Sequence, residues 1–107
     1  NSVVYTGTHD NNTILGWYQQ LNVEIKEYIG EYLNINEGIN WGFIRAAWSS
    51  TAKLAIIPLQ DLLALGSGAR MNVPGTVGDN WQWRYSSELL REEHANRLKE
   101  LTELYYR

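Results

Sequence analysis

Apolar positions along this chain alternate between helical stripes and short β-type runs. Val3-Val4-Tyr5-Thr6 is β-branched and aromatic and reads as a short buried strand. Asn11, Asn12 and Thr13 then offer helix-capping side chains, and Ile14, Trp17, Tyr18 and Leu21 follow at the i, i+3, i+4, i+7 spacing of a helix. Asn22 interrupts the stripe. Ile25, Tyr28, Ile29, Tyr32 and Leu33 restart it, with Glu24, Lys26, Glu27 and Glu31 between them, so a second amphipathic helix is expected that tolerates Gly30. Asn34, Asn36 and Gly38 mark a loop. Trp41, Ile44 and Trp48 resume helical spacing up to Ser49-Ser50.

The pattern then changes. Lys53-Leu54-Ala55-Ile56-Ile57-Pro58 is a continuous apolar run closed by proline, which fits a strand covered on both faces in a parallel sheet. A short helical turn over Leu59 to Leu65 follows. Gly66 to Asn80, with four Gly and one Pro, is the longest irregular stretch and the expected functional loop. Trp81-Gln82-Trp83-Arg84-Tyr85 alternates locally. Ser86 or Ser87 is placed to cap a last helix. In that helix Leu98, Leu101, Leu104 and Tyr105 form one face, and Arg91, Glu92, Arg97, Lys99 and Glu100 form a solvated one. Strand, helices, strand and helix make two βα units with no repeat and no linker. Two parallel strands cannot bury both faces and both edges alone, so the pattern predicts an α/β piece of a larger structure.

Composition narrows the chemistry. The 107 residues suit one small domain, and 44% hydrophobic content argues against disorder. A net charge of -3 with no basic stripe gives no basis for nucleic-acid binding. The absence of cysteine excludes disulfides and thiolate metal sites, and the two histidines have no patterned metal-binding partners. The apolar runs are too short to span a bilayer. The chain begins with Asn and not Met, which reads as a processed or excised piece, and such a piece would show no signal peptide. Five Trp and seven Tyr stand beside one Phe. Such rings, apolar with a polar handle, suit sugar faces, although any single ring more often serves packing.

The clearest candidate chemistry is His9-Asp10, within Thr6-Gly7-Thr8-His9-Asp10-Asn11-Asn12-Thr13. These residues occupy the loop between the first strand and the first helix, the end of a parallel α/β scaffold where chemistry is usually placed.

Val4-Tyr5-Thr6-Gly7-Thr8-His9-Asp10-Asn11-Asn12-Thr13 resembles the last catalytic segment of the amylomaltase family, the 4-α-glucanotransferases related to α-amylases. Ile57-Pro58-Leu59-Gln60-Asp61-Leu62-Leu63 is a second match. Ala69-Arg70-Met71-Asn72-Val73-Pro74-Gly75-Thr76, continuing into Asn80-Trp81-Gln82-Trp83-Arg84, is a third. Three motifs in order cover most of the chain. The resemblance implies the C-terminal quarter of a (β/α)8 TIM barrel, with Val3 to Thr6 as the seventh strand and Leu54 to Ile57 as the eighth. It implies that residues 1–107 are the C-terminal segment of one catalytic domain without a separate second domain, helix-rich in isolation.

The resemblance also implies the reaction: cleavage of an α-1,4-glucosidic bond and transfer of the glucan to another sugar's 4-hydroxyl, with retention. Retention uses a carboxylate nucleophile and a carboxyl acid/base about 5–5.5 Å apart. Both belong to earlier strands of the family's barrel and match nothing here. Asp10 matches the third acid, which stabilises the transition state, and His9 its neighbour, which contacts the same sugar hydroxyls. Asn72 is a candidate sugar contact and Arg70 a brace for its loop, whose path Pro74 and Gly75 set; the three residues Asn72, Arg70 and Pro74 are taken as substrate-binding. Trp81 and Trp83 are read as packing residues, stacked on Arg84. Asn12 stands where an acid is common in the family, and Asp79 where glycine is common. No cofactor or metal is implied. The implied partners are maltooligosaccharides and the remainder of the barrel, in the cytoplasm or a plastid, with self-association of the isolated segment also open. A non-catalytic carbohydrate-binding module and a helical self-association domain are the competing readings, and both leave the three ordered motifs unexplained.

Overall fold

The computed structural model describes residues 2–33 and 35–107. Asn34, one of the expected loop markers, lies outside the described residues. In chain order the elements are β1 (Val3–Tyr5), α1 (Ile14–Gln19), α2 (Val23–Tyr32), α3 (Ile39–Trp48), β2 (Leu54–Ile56), α4 (Leu59–Leu62), a 3-10 turn (Ser67–Ala69) and α5 (Glu92–Leu104). The strands pair in parallel, Val3 opposite Leu54, Val4 opposite Ala55 and Tyr5 opposite Ile56. Two βα units therefore stand side by side, and the loops that leave both strands emerge at one end of the sheet.

Local chemistry explains most boundaries. Thr13 caps α1, its Oγ1 accepting from Gly16 N at 3.1 Å. Asn22 caps α2, its Oδ1 accepting from Ile25 N at 2.9 Å, so the residue that breaks the first stripe starts the second helix. The last helix departs from expectation. It begins at Glu92 after Arg91, and His94 Nδ1 accepts from Arg91 N at 3.0 Å, whereas Ser86 only closes a turn through Leu89 N at 2.9 Å. Trp81 to Tyr85 forms no strand. Asp79 adopts φ 55°, the left-handed region that favours glycine, the residue that the resemblance leads one to expect at this position.

Ile44, Leu62 and Leu101 form the core, with Trp41, Trp48, Ile57, Leu59, Leu98 and Tyr105 packed around them. Fully burying each such aliphatic side chain stabilises by roughly 1.5–3 kcal/mol. Trp48 Nε1 donates to Thr102 Oγ1 at 3.1 Å, and Arg107 donates to Trp48 O at 2.7 Å, so α5 is fastened along α3. Arg97 is not simply solvated: it pairs with Glu37 and Glu100 and lies 5.8 Å from the Trp41 ring.

The sheet is not covered on both faces as the apolar run suggests. Val3, Tyr5, Leu54 and Ile56 share one face by register and are 43–56% exposed. The helices pack on the other side, and a two-stranded sheet has nothing of its own for the second face. Helix α2 buries none of its residues, although its stripe is amphipathic.

Candidate functional site

The loop after β1 is shaped by its own polar side chains. Asn11 Oδ1 accepts from Thr8 N at 2.8 Å and from Thr8 Oγ1 at 3.0 Å, and Asn11 N donates to Thr8 O at 3.1 Å. Asn11 thus closes a turn over His9-Asp10 and does not cap α1. Asn12 bridges outward: its Nδ2 donates to Ser67 Oγ at 2.9 Å and its Oδ1 accepts from Thr13 N at 2.8 Å. At the tip, His9 Nε2 lies 3.3 Å from Asp10 Oδ2, and both side chains are more than half exposed.

The loop after β2 comes back to meet it. Arg70 Nε donates to Asn72 O at 2.8 Å, and an Arg70 terminal nitrogen donates to Asp10 O at 2.9 Å. Asn72 Nδ2 donates to Asp10 Oδ1 at 2.7 Å. Residues some sixty positions apart in sequence therefore converge on one carboxylate, whose two oxygens face Asn72 and His9. An exposed acid held by a donor on one side and an imidazole on the other is suited to accepting hydrogen bonds from vicinal hydroxyls.

A cleft of about 540 Å³ opens beside this cluster, with Tyr5, His9, Ile56, Arg70 and Met71 in its lining. Asp10, Asn72 and Pro74 are not lining residues of that cleft. Of the five residues singled out by sequence, four (His9, Asp10, Arg70 and Asn72) are in contact. Pro74 is exposed, and none of the hydrogen bonds that join His9, Asp10, Arg70 and Asn72 involves it. Among the described residues, no group of three or more His, Cys, Asp or Glu side chains could hold a metal ion, and no helix is long and apolar enough to cross a membrane.

Two contributors escape the sequence reading. Trp81 does not stack on Arg84, whose guanidinium donates to the carbonyls of Trp81 and Trp83 at 3.1 and 2.9 Å. Its ring instead lies 5.0 Å from that of His9, and its backbone takes φ 62° to put it there. The third motif contained Trp81, but its partner is distant in sequence. Asp61 is the other. It is 2% exposed, and its carboxylate accepts from Thr6 Oγ1 at 2.9 Å and from Ile14 N at 2.8 Å. Burial raises its pKa, and the Ile14 amide and Thr6 hydroxyl only partly offset that. A lone acid in an apolar segment, Leu59-Gln60-Asp61-Leu62-Leu63, was the available signal.

Comparison with known proteins places this arrangement. Residues 1–90 match the family model described as 4-alpha-glucanotransferase. The 4-alpha-glucanotransferase of Synechocystis sp. is 51% identical over 109 residues, covering 100% of this chain and 22% of that protein. The chloroplastic/amyloplastic 4-alpha-glucanotransferase DPE1 of Arabidopsis thaliana is 50% identical over 112 residues, covering 100% of this chain and 19% of that protein. The structure of an amylomaltase from Streptococcus agalactiae in complex with acarbose superposes with a TM-score of 0.93 at 42% identity, over 98% of this chain and 22% of that one. The chain thus spans about a fifth of the length of the relatives it matches.

Proposed function

The chain belongs to the 4-alpha-glucanotransferase family, and on that premise we propose that it forms the sugar-gripping part of a retaining 4-alpha-glucanotransferase acting on α-1,4-glucans. One observation carries the reading. Asp10 is held by Asn72 at 2.7 Å with His9 at 3.3 Å, on loops that leave two parallel strands at the same end. In barrel enzymes that end carries the active site.

In this reading Asp10 and His9 accept and donate hydrogen bonds to the hydroxyls of the ring at the scissile bond. Those bonds tighten as the ring flattens toward an oxocarbenium ion, which lowers the barrier without forming a covalent bond. Asn72 orients Asp10, Arg70 braces the two loops, and Pro74 shapes the rim. Trp81, beside His9, offers an apolar ring to a sugar C–H face. The nucleophile and the acid/base come from other strands of the barrel. Those strands would cover the open face made by Val3, Tyr5, Leu54 and Ile56. Residues 1–107 are then one segment of a single catalytic domain, working in the cytoplasm or a plastid.

The test replaces the matching segment of the Synechocystis enzyme by this chain and follows disproportionation of maltotriose. The chimera is expected to be active, and Asp10→Asn to lower kcat by on the order of 10²–10³, as loss of one preorganised transition-state contact does. An inactive but folded chimera, or an Asp10→Asn chimera as fast as its parent, overturns the proposal.

A further inference from the structure

We propose that Asp61 is a positioning residue for the His9-Asp10 loop, its single buried carboxylate tying the two residues that flank the loop, Thr6 and Ile14, to α4. The inference rests on the reading of Asp10 as a substrate-contacting acid, and deepens it.

The two oxygens divide the task. Oδ2 accepts from Thr6 Oγ1 at 2.9 Å, where the chain leaves β1, and Oδ1 accepts from Ile14 N at 2.8 Å, where the chain enters α1. Thr13 satisfies a different amide of that helix, Gly16 N, so Asp61 is not a redundant cap. Everything between the two anchors is the loop Gly7–Thr13, and an atom added at Gly7 would lie 3.9 Å from Asp61 Oδ2. Asp61 is in turn held from behind. Buried Asn40 on α3 donates through Nδ2 to Asp61 O at 2.9 Å and to Leu62 O at 3.4 Å.

A line of hydrogen bonds therefore runs from α3 through α4 to both ends of the loop. The same stretch after β2 carries Arg70 and Asn72, which grip Asp10 from the other side. Asp10 is thus registered to the second βα unit twice, at its tip by Arg70 and Asn72 and at its base by Asp61. A buried carboxylate is costly where an apolar residue would pack well, and spending it on two loop anchors is consistent with a need for position over stability.

The variants separate geometry from packing. Thr6→Val removes only the entry anchor. Asp61→Leu removes both. Asp61→Asn keeps both contacts, since its carbonyl still accepts from Ile14 N and its amide can donate to Thr6 Oγ1 once that hydroxyl rotates. In the chimera, Thr6→Val is expected to lower kcat by about tenfold and Asp61→Leu by about 100-fold, with KM for maltotriose changed by less than roughly threefold, the size of effect a small misplacement produces. Asp61→Asn is expected to recover kcat to within about threefold of the parent. Amide exchange of residues 7–13 should speed up in Thr6→Val and Asp61→Leu and not in Asp61→Asn, with the remaining segments unchanged. Parent-like kcat and exchange in Thr6→Val overturn the proposal. So does an Asp61→Leu loss that is accompanied by faster exchange throughout the segment, which marks a packing role. An Asp10→Asn chimera that keeps full activity sinks the reading of Asp10 alone, and loop exchange still decides the role of Asp61.

Discussion

At the scale of single residues, Asp61 is a carboxylic acid only 2% exposed. Burial raises its pKa above the ordinary carboxylate value of 3.8, against the opposing pull of two hydrogen bonds. Folding therefore favours the protonated acid. Its contribution to stability is fully present below 3.8 and is lost as pH rises through the higher folded value. Asp61→Asn removes this titration while keeping the two contacts. Above pH 3.8 the Tm of the parent is expected to fall relative to that of the variant; parallel curves would contradict the assignment. Legibility at this scale was uneven. His9, Asp10, Arg70 and Asn72 were readable because they lie in compact motifs. Asp61 sat in a motif too, but its partners Thr6 and Ile14 are 55 and 47 positions away, and burial is not a property of sequence.

At the scale of elements, the short helix α1 is placed by contact and not by length. Its six residues are too few to be stable alone, and it docks on the 3-10 turn through Gly16. A Cβ added there would lie 2.4 Å from Ser67 Oγ and 2.9 Å from Ser67 N, the second a backbone atom that cannot step aside. Gly16→Ala is expected to destabilise the fold by about 1–3 kcal/mol through overpacking, despite the better helix propensity of alanine, and urea denaturation checks it. A stabilised variant would mean that the turn relaxes. Helical periodicity located α1, α2, α3 and α5 because one apolar face repeats every 3.6 residues. It misjudged the start of α5, where serines looked like caps but the chain makes another turn before Glu92. It also could not show that the stripe of α2 stays uncovered, since amphipathicity marks a face that can be buried and not what buries it.

At the scale of the whole molecule, the chain is two βα units of a barrel fold with one sheet face half exposed, and among the described residues the cluster at His9 is built on the single carboxylate of Asp10, whereas the proposed retaining chemistry needs a nucleophile and an acid/base besides. The isolated chain is therefore expected not to disproportionate maltotriose. Chromatography that finds longer and shorter glucans above an Asp10→Asn control would refute this. A helical self-association domain gives the strands no role, whereas Val3–Tyr5 pairs in parallel with Leu54–Ile56. The sequence by itself determined the two strands, the amphipathic helices and the family, because alternation, helical spacing and contiguous motifs are local properties written in neighbouring residues. Tertiary structure alone decided that Asn72 and Arg70 meet Asp10, that Trp81 lies against His9, and that a buried Asp61 holds both ends of the loop. Each of those contacts closes a span of some fifty to seventy residues, and which distant side chains meet depends on the parallel register of two strands and the packing of the helices that connect them.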